Sequence, residues 1–78
     1  MRELLEFLIR SLVDNPDAVA IEERSTDGAT VMRVRVAGPD IGKVIGRQGR
    51  TIKAIRALMS AAEQRLGQRA VVELAEEE

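Results

Sequence analysis

The sequence predicts an α+β fold in the order α-β-β-α-α-β, a three-stranded sheet with its helices packed on one face. Three observations lead there. The chain opens on an amphipathic run of helical period, and two alternating runs then meet at Asp27-Gly28. A turn bounded by glycines separates two further helical segments, and a last apolar run follows. With 78 residues and no internal repeat or linker, the expectation is one domain, 1–78.

Each element has its own warrant. Residues 2 to 13 read as a helix, because Leu5, Leu8, Ile9 and Leu12 recur at helical spacing while Glu3, Glu6 and Arg10 take the other side. Phe7, the only aromatic residue, is expected in the core. Asp14-Asn15-Pro16 ends the helix, since the residue before a proline is pushed out of the helical region. Strands follow over 18–25 and 30–37, joined by Thr26-Asp27-Gly28-Ala29, where Asp-Gly suits the positive φ angles of a tight hairpin. Met32, Val34 and Val36 alternate with Arg33 and Arg35, the pattern of a half-buried strand whose arginines face solvent.

Gly38-Pro39 breaks that strand, and Asp40 is placed to cap a short helix over 41–45. After Gly46-Arg47-Gln48-Gly49 comes a longer helix, 50–66, with Ile52, Ile55, Met59, Ala62 and Leu66 as its apolar stripe. Gly67 is a natural stop. A second strip of the same helix, Ala54, Ala57, Leu58 and Ala61, is expected to meet the first helix or, failing that, a second copy of the chain. Lys53, Arg56, Ser60, Glu63 and Gln64 form its polar arc. Residues 69–75 make the last strand, and Glu76 to Glu78 a solvated tail.

Composition removes several chemistries. There is no cysteine and no histidine, hence no disulfide, no thiolate, and neither the commonest general base nor the commonest metal ligand. No paired acids flank the glycine turn. The reading is therefore no enzyme, no metal and no cofactor. No run approaches the ~18 apolar residues of a membrane span, and Met-Arg-Glu-Leu-Leu-Glu-Phe is too charged for a signal peptide. A cytoplasmic protein without a membrane partner is expected.

Charge is unevenly placed. The net value is −1, yet residues 41–60 carry five cations (Lys43, Arg47, Arg50, Lys53, Arg56) and no acid. The other 58 residues hold seven basic and thirteen acidic groups, a balance of −6. Positive charge thus surrounds the turn. Gly46 and Gly49 let the backbone bend sharply and let a bulky group approach it. The following helix presents amides without intrahelical partners and the positive end of its dipole. A phosphate suits such a place, with Lys43, Arg47 and Arg50 around it and Lys53 one turn further. Other glycine motifs fail: Gly42-Lys43 is followed by Val44, which is no P-loop.

The run Ile41-Gly42-Lys43-Val44-Ile45-Gly46-Arg47-Gln48-Gly49-Arg50-Thr51-Ile52 resembles the signature of KH domains, I/V-I-G-x-x-G-x-x-I. The order of elements around it resembles the bacterial, type II arrangement, and the whole chain is similar to the short stand-alone KhpA-type KH proteins. The resemblance implies a single-stranded RNA-binding protein, an RNA chaperone or post-transcriptional regulator. Its glycine turn would hold the sugar-phosphate backbone while about four nucleotides cross an aliphatic groove. Gly46, Arg47, Gln48 and Gly49 would form the clamp, and Gly42, Val44, Ile45 and Ile52 would form or support the groove.

Two further implications follow. Base stacking on aromatic side chains contributes ~1–3 kcal/mol per base, and a chain without Tyr or Trp lacks it, so binding is expected to be weak, salt-dependent and tolerant of sequence. The resemblance also implies partners, a homodimer or a heterodimer with a larger Jag-type (KhpB-type) KH protein. A pure protein-interaction module is the rival function. It has no need of five cations without an anion. Single-stranded DNA is a further rival ligand.

Overall fold

The computed structural model describes residues 2–67 and 69–77. Helix α1 spans Arg2–Leu12, strands β1 and β2 span Ala20–Thr26 and Ala29–Ala37, helices α2 and α3 span Ile41–Ile45 and Arg50–Arg65, and strand β3 spans Arg69–Glu77. This is the predicted order. The central strand is β2, antiparallel to β1 and parallel to β3. A parallel pair requires a crossover, and α2, the glycine turn and α3 supply it. The turn is therefore carried between two helices at mid-crossover.

Alternation along β2 decides which face is buried. Met32, Val34 and Val36 are inaccessible to solvent, and in register beside them lie Ile21 on β1 and Val72 on β3. Against that face pack Leu5 and Ile9 of α1, Val44 of α2, and Ile52, Ile55 and Met59 of α3, giving one contiguous core. Arg33 is exposed as expected. Arg35 is half-buried and reaches Glu22 across the strand pair at 3.2 Å.

Several expectations need correction. Phe7 is 69% exposed. At 100° per residue it lies two positions from both Leu5 and Ile9, so it points away from the core on α1. Glu63 belongs to the buried stripe of α3, at 2% exposure, whereas Leu66 is exposed. The strip Ala54, Ala57, Leu58 and Ala61 is exposed throughout and is not covered by α1. The first strand begins at Ala20, because Pro16–Ala18 form a 3₁₀ turn closed by the Val19 amide on the Pro16 carbonyl. At the hairpin only Gly28 takes a positive φ, +72°, and Asp27 does not. β3 runs on through Glu76 and Glu77, paired with Val36 and Ala37, where a tail was expected. Glu78 lies outside the described residues.

Candidate functional site

The site begins with how α2 is held. Val44 is fully buried and anchors the helix to the core. Burial of such a side chain contributes about 1.5–3 kcal/mol. Asp40 stands at the N-cap position of α2 but makes no side-chain cap there. Its carboxylate is fully buried instead, and it accepts from the Asp14 amide at 3.2 Å and from the Asn15 amide and Asn15 Nδ2, both at 3.0 Å. Burial alone would raise its pKa. The Asn15 and Asp14 donors outweigh that and, with Lys43 nearby, hold it below the ordinary carboxylate value. The end of α1 is thereby tied to the start of α2.

The turn itself is tightly determined. Gly46 ends α2 with its amide on the Gly42 carbonyl at 2.9 Å. It adopts φ 77°, ψ 171°, a region essentially restricted to glycine. A Cβ there would strike Thr51 Oγ1, come within 2.7 Å of Thr51 Cβ and within 2.9 Å of the Thr51 nitrogen. Gln48 is left-handed at φ 58°, ψ 23°, and Gly49 follows at φ 74°, ψ 14°. Gln48 is the one non-glycine residue with positive φ among the described residues, which marks the turn as strained. Arg50 steadies it, donating from Nη2 to Gln48 Oε1 at 3.1 Å.

The amides are less open than the sequence suggests. The Gly49 amide bonds the Gly46 carbonyl at 3.1 Å, and the Arg50 amide bonds the Arg47 carbonyl. Approach of an anion therefore falls chiefly to side chains and to the field of α3. Arg47, Arg50 and Lys53 are exposed, and none has an ion-pair partner among the described residues. Lys43 differs, with its Nζ 3.1 Å from Asp14 Oδ2. Of the apolar motif positions, Val44 and Ile52 are buried supports, while Ile45 is 38% exposed and can meet a ligand. Gly42 is exposed, with nothing within 4 Å of where its Cβ would lie.

One neighbour of the site escaped the sequence reading. Arg56 is exposed, as expected, but it also donates from Nε to the Val72 carbonyl on β3 at 3.2 Å. It borders a cleft of about 650 Å³ between α3 and the edge strand. A signal was present, since Arg56 lies one turn beyond the buried Ile52. Among the described residues no group of three acidic, His or Cys side chains could hold a metal. No helix among them is long and apolar enough to cross a membrane.

Known proteins resemble this chain along most of its length. A family model described as "KhpA/KhpB, KH domain" matches residues 2–74. The RNA-binding protein KhpA of Chlamydia pneumoniae is 44% identical over 77 residues, which is 99% of each chain. The protein of the same name from Clostridium acetobutylicum is 45% identical over 74 residues, 95% of this chain and 99% of that one. The Borreliella burgdorferi protein is 39% identical over 72 residues, 92% and 88% of the two chains.

Proposed function

This chain belongs to the KhpA/KhpB family of KH domains, and from that premise we propose that it is a non-catalytic, single-domain protein of the cytoplasm that binds single-stranded RNA through the Gly46–Gly49 turn. The observation that carries the reading is the trio Arg47, Arg50 and Lys53, exposed beside the turn and without ion pairs among the described residues, on a chain otherwise rich in acid. These side chains neutralise the sugar-phosphate backbone, Gly42 leaves room beside α2, and Ile45 offers apolar contact to a base. Val44 and Ile52 hold the groove from beneath. Lys43 joins the contact when a phosphate displaces Asp14. Such a device serves an RNA chaperone or post-transcriptional regulator, which needs grip on many sequences.

Replacing Arg47 and Gln48 together by Asp tests it. Both side chains are exposed, and aspartate tolerates the left-handed backbone of position 48, so the fold survives. Each charge-assisted contact is worth about 1.5–3 kcal/mol, so affinity for a single-stranded oligonucleotide should fall at least about tenfold. With three phosphate contacts, wild-type binding should follow salt with a log–log slope of about −2. Fluorescence anisotropy with labelled RNA reads both. Unchanged affinity in the double variant would remove the turn from the function.

A second reading concerns protein partners. The exposed strip Ala54, Ala57, Leu58 and Ala61 favours pairing with a second copy or with a larger Jag-type (KhpB-type) KH protein. Small residues let helices approach closely, and Leu58, 54% exposed, supplies apolar contact.

A further inference from the structure

We propose that Arg56 is a specificity-determining residue that selects guanine in the cleft between α3 and β3. The inference rests on the RNA-binding reading of the glycine turn and names what that reading leaves open, a base preference. Lys53 lies beside Gly49, its Cε 3.9 Å from where a Gly49 Cβ would stand. Lys53 and Arg56 are three apart and Arg56 and Ser60 four apart, so the three share one face of α3. That face leads from the turn to the cleft, about 10 Å along the helix at 1.5 Å per residue. A strand of about four nucleotides held at the turn covers this distance.

The chemistry of the cleft suits a base better than a phosphate. Its walls are Arg56 and Ser60 on one side and Ala70, Val72 and Leu74 of the edge strand on the other. The volume of about 650 Å³ lies within the range of sites that enclose small planar ligands. Ala70 and Leu74, both half-buried, contribute apolar surface against which a ring can lie.

Arg56 is preset for recognition. Its Nε is fixed on the Val72 carbonyl, which orients the guanidinium plane. Of its five N–H donors, four have no partner among the described residues. A fork of donors without an acceptor matches a base edge that offers two adjacent acceptors. Guanine has that edge in O6 and N7, whereas adenine sets a donor beside N7. Lysine in place of Arg56 keeps the charge but has no planar fork.

The test uses the full chain and four short uridine-rich oligoribonucleotides that differ only at one central base. Wild type should bind the guanine-containing oligonucleotide roughly fivefold to tenfold more tightly than each of the others, the discrimination of one bidentate contact. In Arg56→Lys, whose fold is checked by its far-ultraviolet circular dichroism melt, the ratio should fall to below about twofold while mean affinity stays within about twofold. A wild-type protein without guanine preference, or an R56K variant that keeps it, overturns the inference. The Arg47→Asp, Gln48→Asp protein separates the two proposals. If it binds all four oligonucleotides as wild type does, the turn reading fails. If it loses all four while R56K leaves the ratio unchanged, Arg56 alone is wrong.

Discussion

The three glycines of the motif should respond to alanine in three different ways, and the geometry gives the order. At Gly46 two costs combine. The backbone at φ 77°, ψ 171° lies in a region that costs a residue with a Cβ about 1–3 kcal/mol. The added carbon also meets Thr51 from its backbone nitrogen to its hydroxyl, and such overpacking costs about 1–3 kcal/mol. The sum approaches half of the stability of a domain this size, about 4–12 kcal/mol at the usual value per residue. Gly49 is left-handed, but its Cβ would meet only the mobile end of Lys53 at 3.9 Å, so alanine there costs about 1–2 kcal/mol. Gly42 is helical with open space above it, and alanine should stabilise it by up to about 1 kcal/mol. With no Trp or Tyr, far-ultraviolet circular dichroism is the suitable probe. At about 4–8 °C per kcal/mol, G46A should melt more than about 10 °C below wild type, G49A about 4–15 °C below, and G42A slightly above. A G46A melting point equal to that of G49A would refute the claim that Thr51 closes against Gly46.

Two further outcomes follow from the structure. The Asp40 carboxylate titrates below its ordinary value, so its contribution is complete above the unfolded value of about 3.9 and is lost as pH falls through the lower, folded value. Melting temperatures measured from neutral pH into acid should therefore fall more steeply for wild type than for Asp40→Asn, which should be the less stable protein at neutral pH; parallel curves would contradict the role given to Asp40. Leu58→Glu should leave the melt within a few degrees of wild type, since surface substitutions usually change stability by less than about 0.5 kcal/mol, yet yield only the 8.6 kDa monomer in sedimentation at micromolar concentration. A wild-type protein that is itself monomeric there would remove the α3 strip as a self-association surface.

Periodicity made the order of elements and the place of the turn legible, because both depend on local pattern. What it concealed depends on contacts distant in sequence. Asp40 has the residue type and position of a helix cap, but two amides 25 and 26 residues earlier claim its carboxylate. Residue type also misled where helical arithmetic would have served. Glu63 is four positions beyond Met59 and eight beyond Ile55, on the stripe, yet its charge argued for solvent. Phe7 is the converse, an aromatic residue whose angular position on α1 faces outward. Arg56 is at the surface, as its place on the polar arc of α3 implies, and its position one turn beyond Ile52 points toward the sheet, but the Val72 carbonyl it meets lies 16 residues on.

The two surfaces of α3 bear on how so small a chain could hold RNA at all. On the proposed reading, three cations and one exposed isoleucine at the turn give modest affinity, and no aromatic ring adds stacking there: Phe7, the only one, belongs to α1. Arg56 and Leu58 are two positions apart, which places them roughly 160° apart around the helix. Ala57, however, lies four positions from Lys53 and three from Ser60, so pairing centred on Leu58 leaves Arg56 open and borders Lys53. Two glycine turns on one assembly raise the effective concentration of the second contact once the first has formed. On the proposed reading, self-association and RNA binding thus use adjoining faces of one helix that meet at Ala57 and Lys53, and the first strengthens the second without sharing a residue with it.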